Sequence, residues 1–417
     1  DDTLLIVPRL EATGQLDFIH VGAGPGAASH IPPSYRKAGS FVYLTEAIRK
    51  VTDLALICSQ RVNDPLIAES VLASGAADLV SMNRAIMTDP EMPTKAREGR
   101  LEEIRHCIAC NECIARGRIG MPIACTMNAE LGREQQMAIE KTDTPRHVLV
   151  VGGGPAGLEA ARVASLRGHR VTLYEKGDTL GGQPLIASQA PGREELDEVR
   201  RYYTYQMGLQ EVDVHINTEV TSETIEQEAP DAVVIATGSR AILSELTADD
   251  VPVVDVRTIL SGEADIEPGQ RVVLQAEDHH MQGLTAADFL VEKGCEVQVL
   301  TEAVYAGSQI ETGTLETLYQ RLLTKGVTLT PLTTIKLIDG RTVVTENTIS
   351  KAEARIQGVD MIVASYGNEA SDELYREVKS DADSTSNTPA LYLIGDASAP
   401  RRLMDAILDG ARVGRIL

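Results

Sequence analysis

His147-Val148-Leu149-Val150-Val151, followed at once by Gly152-Gly153-Gly154-Pro155-Ala156-Gly157, decides the fold of this 417-residue chain. Five apolar residues stopped by glycines read as a buried strand, and the small residues from Pro155 onward open a helix that Gly168 closes. A second strand runs from His169 to Glu175. In that frame Gly152, Gly154 and Gly157 let the main chain approach a pyrophosphate at the helix N-terminus, and Glu175 can accept both ribose hydroxyls. The stretch therefore predicts a Rossmann-type site for an adenine dinucleotide or an ADP moiety. A glycine-rich turn without a ligand is the bland alternative.

Toward the C-terminus, a strand over Ala232 to Ala236 runs into Thr237-Gly238. A further strand, helix, strand unit follows at Val272 to Gln275, Leu284 to Lys293 and Glu296 to Leu300. Its loop, Gln275-Ala276-Glu277-Asp278-His279-His280-Met281-Gln282-Gly283, carries one glycine, and two acids stand where a pyrophosphate would be repelled. This predicts a second Rossmann-like lobe without tight NAD binding, with His279 and His280 as solvated turn residues. The chain closes with a strand from Ala390 to Ile394, Gly395-Asp396, and a helix from Arg402.

Toward the N-terminus, apolar runs at 16 to 21, 54 to 58 and 78 to 82 alternate with helical patterns at 44 to 51 and 65 to 74, then a helix over 86 to 100. This spacing predicts βα units with parallel strands. Arg61 follows the second run and Arg84 the third, where βα barrels commonly hold a phosphate; a surface arginine is the plain reading of each.

Cys107, Cys110, Cys113 and Cys125 fall in the pattern C-x2-C-x2-C-x11-C. Three thiolates at two-residue gaps can take one side of an iron-sulfur cube while a fourth arrives from a nearby loop. Zinc is the main rival, although structural zinc sites usually use two separated pairs. A disulfide framework does not suit a large acidic chain without a secretory signal. His106 reads as structural, and Cys58 and Cys295 as ordinary buried thiols.

Lys and Arg total 39 against 61 Asp and Glu, a formal net charge of −22. That charge repels phosphate backbones and anionic lipid, which excludes nucleic acid and membrane as partners and leaves a cytoplasmic protein as the expectation. No run approaches the roughly 18 apolar residues of a membrane-spanning helix. With 3 Phe and no Trp, the composition argues against an aromatic cage for an alkylammonium within these residues.

The motifs in this order resemble the iron-sulfur flavoenzymes grouped with trimethylamine dehydrogenase and 2,4-dienoyl-CoA reductase. The residues that carry the resemblance are Arg61-Val62-Asn63-Asp64-Pro65, Arg84 to Pro90, Arg97-Glu98-Gly99-Arg100 and Cys107 to Ile114, then Gly152 to Gly157, Leu180-Gly181-Gly182-Gln183, Ala236-Thr237-Gly238, Leu393 to Ala397 and Ala399-Pro400-Arg401. The resemblance implies an α/β chain made of the C-terminal part of a (β/α)8 TIM barrel over 1–105, a [4Fe-4S] segment over 106–135, and a glutathione-reductase-like pair of Rossmann-type domains. The first of that pair, for FAD or ADP, covers 146–240 and 386–417; the second, NAD-binding-like with a degenerate loop, covers 241–385.

By the same resemblance Cys107, Cys110, Cys113 and Cys125 ligate the cluster. Gly152, Gly154, Gly157, Glu175, Gly182, Gln183 and Asp396 line the adenine nucleotide, while Asn83 and Arg84, with Arg61 close by, hold the FMN phosphate. Gln60 and Asn83 stand where many members have glycine. The gap between Cys110 and Cys113 is that of the amine-dehydrogenase branch. The implied chemistry is oxidation of a C–N bond of a methylated amine at FMN, with electrons passing through the cluster to an electron-transfer flavoprotein or another redox protein. Alternatives are an NAD(P)H-dependent 2,4-dienoyl-CoA or enoate reductase, and a relay or nucleotide-binding subunit without substrate chemistry; no substrate acid or base is named. Because a full barrel needs about 250 residues, a further expectation is that Asp1 is not the native N-terminus or that another chain completes the barrel. A homo-oligomer is also expected.

Overall fold

A computed structural model of the chain describes residues 2–23, 31–243, 250–382 and 389–417. It divides into two compact units, one of residues 1–131 with 311–317, the other of 132–310 with 318–417.

The first unit contains α1 (Asp2–Glu11), β1 (Phe18–Val21), α2 (Val42–Arg49), β2 (Ala55–Cys58), α3 (Pro65–Ala73), β3 (Leu79–Val80), α4 (Asn83–Thr88), α5 (Met92–Arg97) and α6 (Glu112–Arg118). Its sheet has the order β1-β2-β3, all parallel, as the βα spacing predicted. Leu56 and Cys58 sit at its centre with no exposure, against Val21, Ile48 and Val71. Asp64 caps α3 by accepting the N–H of Leu66, with Pro65 at the first helical position. The helix expected over 86 to 100 is instead broken into α4 and α5. Pro90 forces the preceding Asp89 out of helical geometry, to φ −137 and ψ 96.

The second unit opens with β4 (His147–Val151), α7 (Pro155–Leu166), β5 (Arg170–Tyr174), α8 (Gln183–Ala187), α9 (Glu198–Leu209), β6 (Asp213–His215), α10 (Ser222–Glu228), β7 (Ala232–Ile235) and β8 (Ser239–Ala241). It continues through β9 (Val253–Asp255), α11 (Val256–Leu260), β10 (Arg271–Ala276), α12 (Gln282–Glu292), β11 (Glu296–Leu300), α13 (Thr312–Thr324), whose residues up to Thr317 belong to the first unit, and β12 (Thr328–Thr330). The remainder is β13 (Thr333–Asp339), β14 (Thr342–Asn347), β15 (Glu353–Ile356), β16 (Met361–Ser365), β17 (Asn368–Ala370), α14 (Glu373–Ala382), β18 (Ala390–Leu393) and α15 (Leu403–Ile416).

Two five-stranded parallel sheets dominate this unit, ordered β18-β7-β4-β5-β6 and β12-β11-β10-β16-β9. The C-terminal strand thus returns to pair with β7, which places Asp396 in the first sheet's lobe. Val148 to Val150 are wholly buried, and α7 is covered along nearly its whole length. A β4 strand reading apolar throughout is what burial on both faces of a parallel sheet requires. The antiparallel meander β13-β14-β15 has only a weak signature in the sequence. Cys58 and Cys295 are both buried. No helix among the described residues is long and apolar enough to cross a membrane.

Candidate functional site

Gly152 lies at φ +109, and a Cβ there would stand 2.4 Å from the carbonyl oxygen of Ala236. A Cβ at Gly157 would stand 2.0 Å from the carbonyl oxygen of Gly152, whereas one at Gly154 would meet nothing within 4 Å. The first two positions are glycine because the strand-to-helix turn leaves no room; the third faces open space wide enough for a ligand backbone group to approach. Glu175, at the end of β5, accepts the Gly153 N–H through Oε2 and the Gly177 N–H through Oε1, each at 2.7 Å. A carboxylate offers about four lone pairs, so two remain for ribose hydroxyls.

Three distant motifs meet at the same lobe. Gln183 Nε2 donates to Asp396 Oδ2 at 2.9 Å and to Ser239 Oγ at 3.1 Å, and Ser239 Oγ donates to the same carboxylate oxygen. Asp396 Oδ1 accepts the Arg401 N–H. Gly182 lies against Gly154, a Cβ on the former falling 3.1 Å from the latter's Cα. The structure thus brings Gly154, Gly182, Gln183 and Asp396 together, with the Gly152 and Gly157 turn and Glu175 on the adjoining strand ends. Sequence reasoning missed Ser239 and Arg257. Arg257 donates to Ser239 O, Ser239 Oγ and Asn368 Oδ1, and burial holds its pKa below the usual value.

The second lobe treats its corresponding loop differently. Asp278 Oδ2 accepts the N–H groups of His280 and Gln282 at 3.1 and 3.0 Å, while Oδ1 accepts Gly283 N–H at 3.1 Å and Ser365 Oγ at 3.0 Å. The amides that would bind a pyrophosphate at the start of α12 are bonded to the chain's own carboxylate. Glu277 accepts from Gln275 Nε2 and the Glu302 N–H, and burial raises its pKa. His279 and His280 are half-buried, not solvated as expected. His279 adopts φ +55, and its buried Nδ1 has no hydrogen-bond partner among the described residues. The loop folds back onto Asp278, which draws its histidines inward.

In the first unit, the four motif cysteines act on one another electrostatically: Cys107, Cys110 and Cys113 each feel Cys125, and Cys110 and Cys113 feel Cys107. Burial pushes the Cys110 thiol up to about 12 and the Cys113 thiol up to about 11. Hydroxyl and amide groups lie beside the sulfurs. Thr126 Oγ1 lies 3.2 Å from Cys110 Sγ, Thr88 Oγ1 3.5 Å from Cys125 Sγ, and the Ala109 N–H points to Cys107 Sγ at 3.4 Å. Among the described residues no three Cys, His, Asp or Glu side chains converge as the ligands of one metal ion do. His106 Nε2 lies 3.6 Å from Asp64.

The loop that carries these cysteines is held from three sides. Asn111, buried at φ +60, donates to Ile31 O and Glu311 Oε2 and accepts from Arg84 Nη1 at 2.7 Å. Glu311 also pairs with Arg118 and accepts the N–H groups of Gly313 and Thr314. It lies almost two hundred positions from the cysteines it supports, and nothing in the motif announces it. The residues expected at an FMN phosphate are less clearly gathered. Arg61 Nε donates to Arg36 O, Arg84 Nη1 also donates to Pro32 O, and Asn83 is exposed at the start of α4. Gln60, at φ +71, occupies the left-handed conformation expected of the glycine found there in many members.

Residues 146–410 match the family profile of the pyridine nucleotide-disulphide oxidoreductases. The chain belongs to that family. This oxidoreductase-family chain is 32% identical to an N,N-dimethylglycine/sarcosine dehydrogenase of Chromohalobacter salexigens, covering 99% of its own length and 65% of the relative. Its fold is shared with a histamine dehydrogenase from Rhizobium sp. 4-9, at TM-score 0.91 and 26% identity over 99% of this chain and 63% of that one. It is likewise similar to a 2-naphthoyl-CoA reductase, at TM-score 0.90 and 29% identity over 99% of this chain and 62% of that one. The chain thus spans a little under two thirds of the length of these relatives. The resemblance to the trimethylamine dehydrogenase group, drawn from the motifs, is borne out.

Proposed function

We propose that this chain carries the [4Fe-4S] cluster and the adenine nucleotide, FAD or ADP, of a flavin-dependent oxidoreductase that oxidises a C–N bond of a methylated amine. The observation that carries the reading is the set of four cysteines sharing one neighbourhood lined by hydroxyl and amide donors. Zinc would need its four sulfurs drawn to about 2.3 Å of one point. A cubane instead seats each sulfur on its own iron. The burial that disfavours free thiolates is offset when a metal cation binds them.

A bound cluster supplies one-electron transfer. The chain's own part is to hold the cysteine loop through Asn111, Arg84 and Glu311, and to seat an adenine nucleotide between the Gly152 to Gly157 turn, Glu175 and the Gln183 and Asp396 pair. FMN, held with Arg61, Asn83 and Arg84, is the proposed site of substrate oxidation in the barrel-like region. Asp278 favours a redox protein, such as an electron-transfer flavoprotein, over NAD as the outlet for electrons, because its carboxylate fills the second lobe's anion position.

The test is anaerobic stopped-flow mixing of the holoprotein with sarcosine or dimethylglycine, and separately with NADH. Bleaching of the flavin by an amine and not by NADH is expected. Rapid bleaching by NADH alone would replace this reading with that of an enoate or acyl-CoA reductase.

A further inference from the structure

Three groups at the cysteine loop belong to no cysteine motif: the hydroxyls of Thr88 and Thr126, which lie beside sulfurs, and the guanidinium of Arg84, which bonds to Asn111. They are not equivalent. Thr88 Oγ1 donates its proton to Arg84 O at 2.9 Å, so toward Cys125 Sγ it can only accept. Thr126, 3% exposed, has Cys110 Sγ at 3.2 Å from its hydroxyl. A thiolate is acceptor only, so once Cys110 ligates iron the Thr126 hydroxyl must be the donor. Arg84 is fixed by Pro32 O at 3.1 Å and by Asn111 Oδ1 at 2.7 Å, which holds its charge against the residue that follows Cys110.

We propose that Thr126 and Arg84 set the reduction potential of the cluster, raising it through a hydrogen bond to the Cys110 sulfur and a fixed positive charge beside the cysteine loop. This rests on the cluster reading above. On reduction the cluster gains one electron and no bond is made or broken, so its net charge becomes more negative. Donors and cations near the sulfurs stabilise the more negative state. Thr126 and Arg84 are positioning residues that act through the sulfurs, and together they make the cluster a better electron acceptor.

The experiment is a redox titration of the anaerobic full-length holoprotein followed by the paramagnetic signal of the reduced cluster. Thr126→Val removes the donor at nearly constant volume, and Thr126→Ser retains it. Arg84→Met removes the charge, and Arg84→Lys keeps it. Thr126→Val and Arg84→Met should each move the midpoint to more negative potential, by about tenfold in the one-electron equilibrium, or ~59 mV. Thr126→Ser should titrate with the wild type, and Arg84→Lys should shift less than Arg84→Met. Unchanged midpoints in Thr126→Val and Arg84→Met, at full iron content, would overturn the proposal. Where Arg84→Met fails to assemble a cluster, the Thr126 pair decides. A wild-type chain lacking iron and sulfide would instead overturn the cluster reading, and this inference with it.

Discussion

Gln183 Nε2 donates to Asp396 Oδ2 at 2.9 Å, joining two motifs separated by 213 positions. The bond brings the Leu180-Gly181-Gly182-Gln183 turn and the Gly395-Asp396 turn to one lobe, with Ser239 bonded to both. A hydrogen bond to a charged group contributes about 1.5–3 kcal/mol. Asp396→Ala should therefore weaken ADP binding by roughly ten- to a hundredfold, measured by titration calorimetry, with little change in iron content.

Gly157→Ala should damage both stability and nucleotide retention, because its Cβ would fall 2.0 Å from the Gly152 carbonyl oxygen. Overpacking of this kind costs about 1–3 kcal/mol or more. Thermal unfolding and the adenine content of the purified protein check this. Gly154→Ala, with open space at its Cβ, should fold normally and lose nucleotide only.

Glu311→Ala should loosen the cysteine loop. The variant removes the acceptor for two amides at the start of α13 and the partner of Arg118, a capping loss of about 1–2 kcal/mol. The expected outcome is faster release of iron to a chelator, followed by absorbance. A release rate equal to that of the wild type would show that Glu311 supports only its own helix.

His169 makes stability pH-dependent. Burial holds its pKa below the usual 6.5, and its Nδ1 accepts the Arg146 N–H at 3.1 Å, which a protonated ring with donors at both nitrogens cannot do. The unfolded chain then binds the proton more readily, so the stabilisation is present above about pH 6.5 and is lost as pH falls below it. His147, also shifted downward mainly by burial, adds to the same trend. Melting temperatures at pH 7.5 and 5.5 should differ less in His169→Asn, whose amide oxygen can accept the same N–H without titrating.

The parallel sheets, the glycine turn and the cysteine set were legible because each rests on local chemistry: apolar runs, a missing Cβ, a spacing of thiols. The supports of those sites were not. Asn111, Glu311, Thr126 and Ser239 act through contacts that chain topology creates, and a lone polar residue carries no periodic signal. The acidity of Glu277 and Asp278 is plain in the sequence, whereas the bonds of Asp278 to the Gly283 amide and the Ser365 hydroxyl are visible only in the fold. The break after Thr88 was legible in Pro90 but outweighed by the apolar pattern around it.

The proposed iron-sulfur cube rests on Cys107, Cys110, Cys113 and Cys125. The most direct measurement is iron and acid-labile sulfide per chain in anaerobically prepared protein, with low-temperature paramagnetic resonance after chemical reduction. About four of each are expected, with a reduced-cluster signal that Cys110→Ser abolishes. One zinc per chain with no sulfide, or an iron content unchanged in Cys110→Ser, would contradict it.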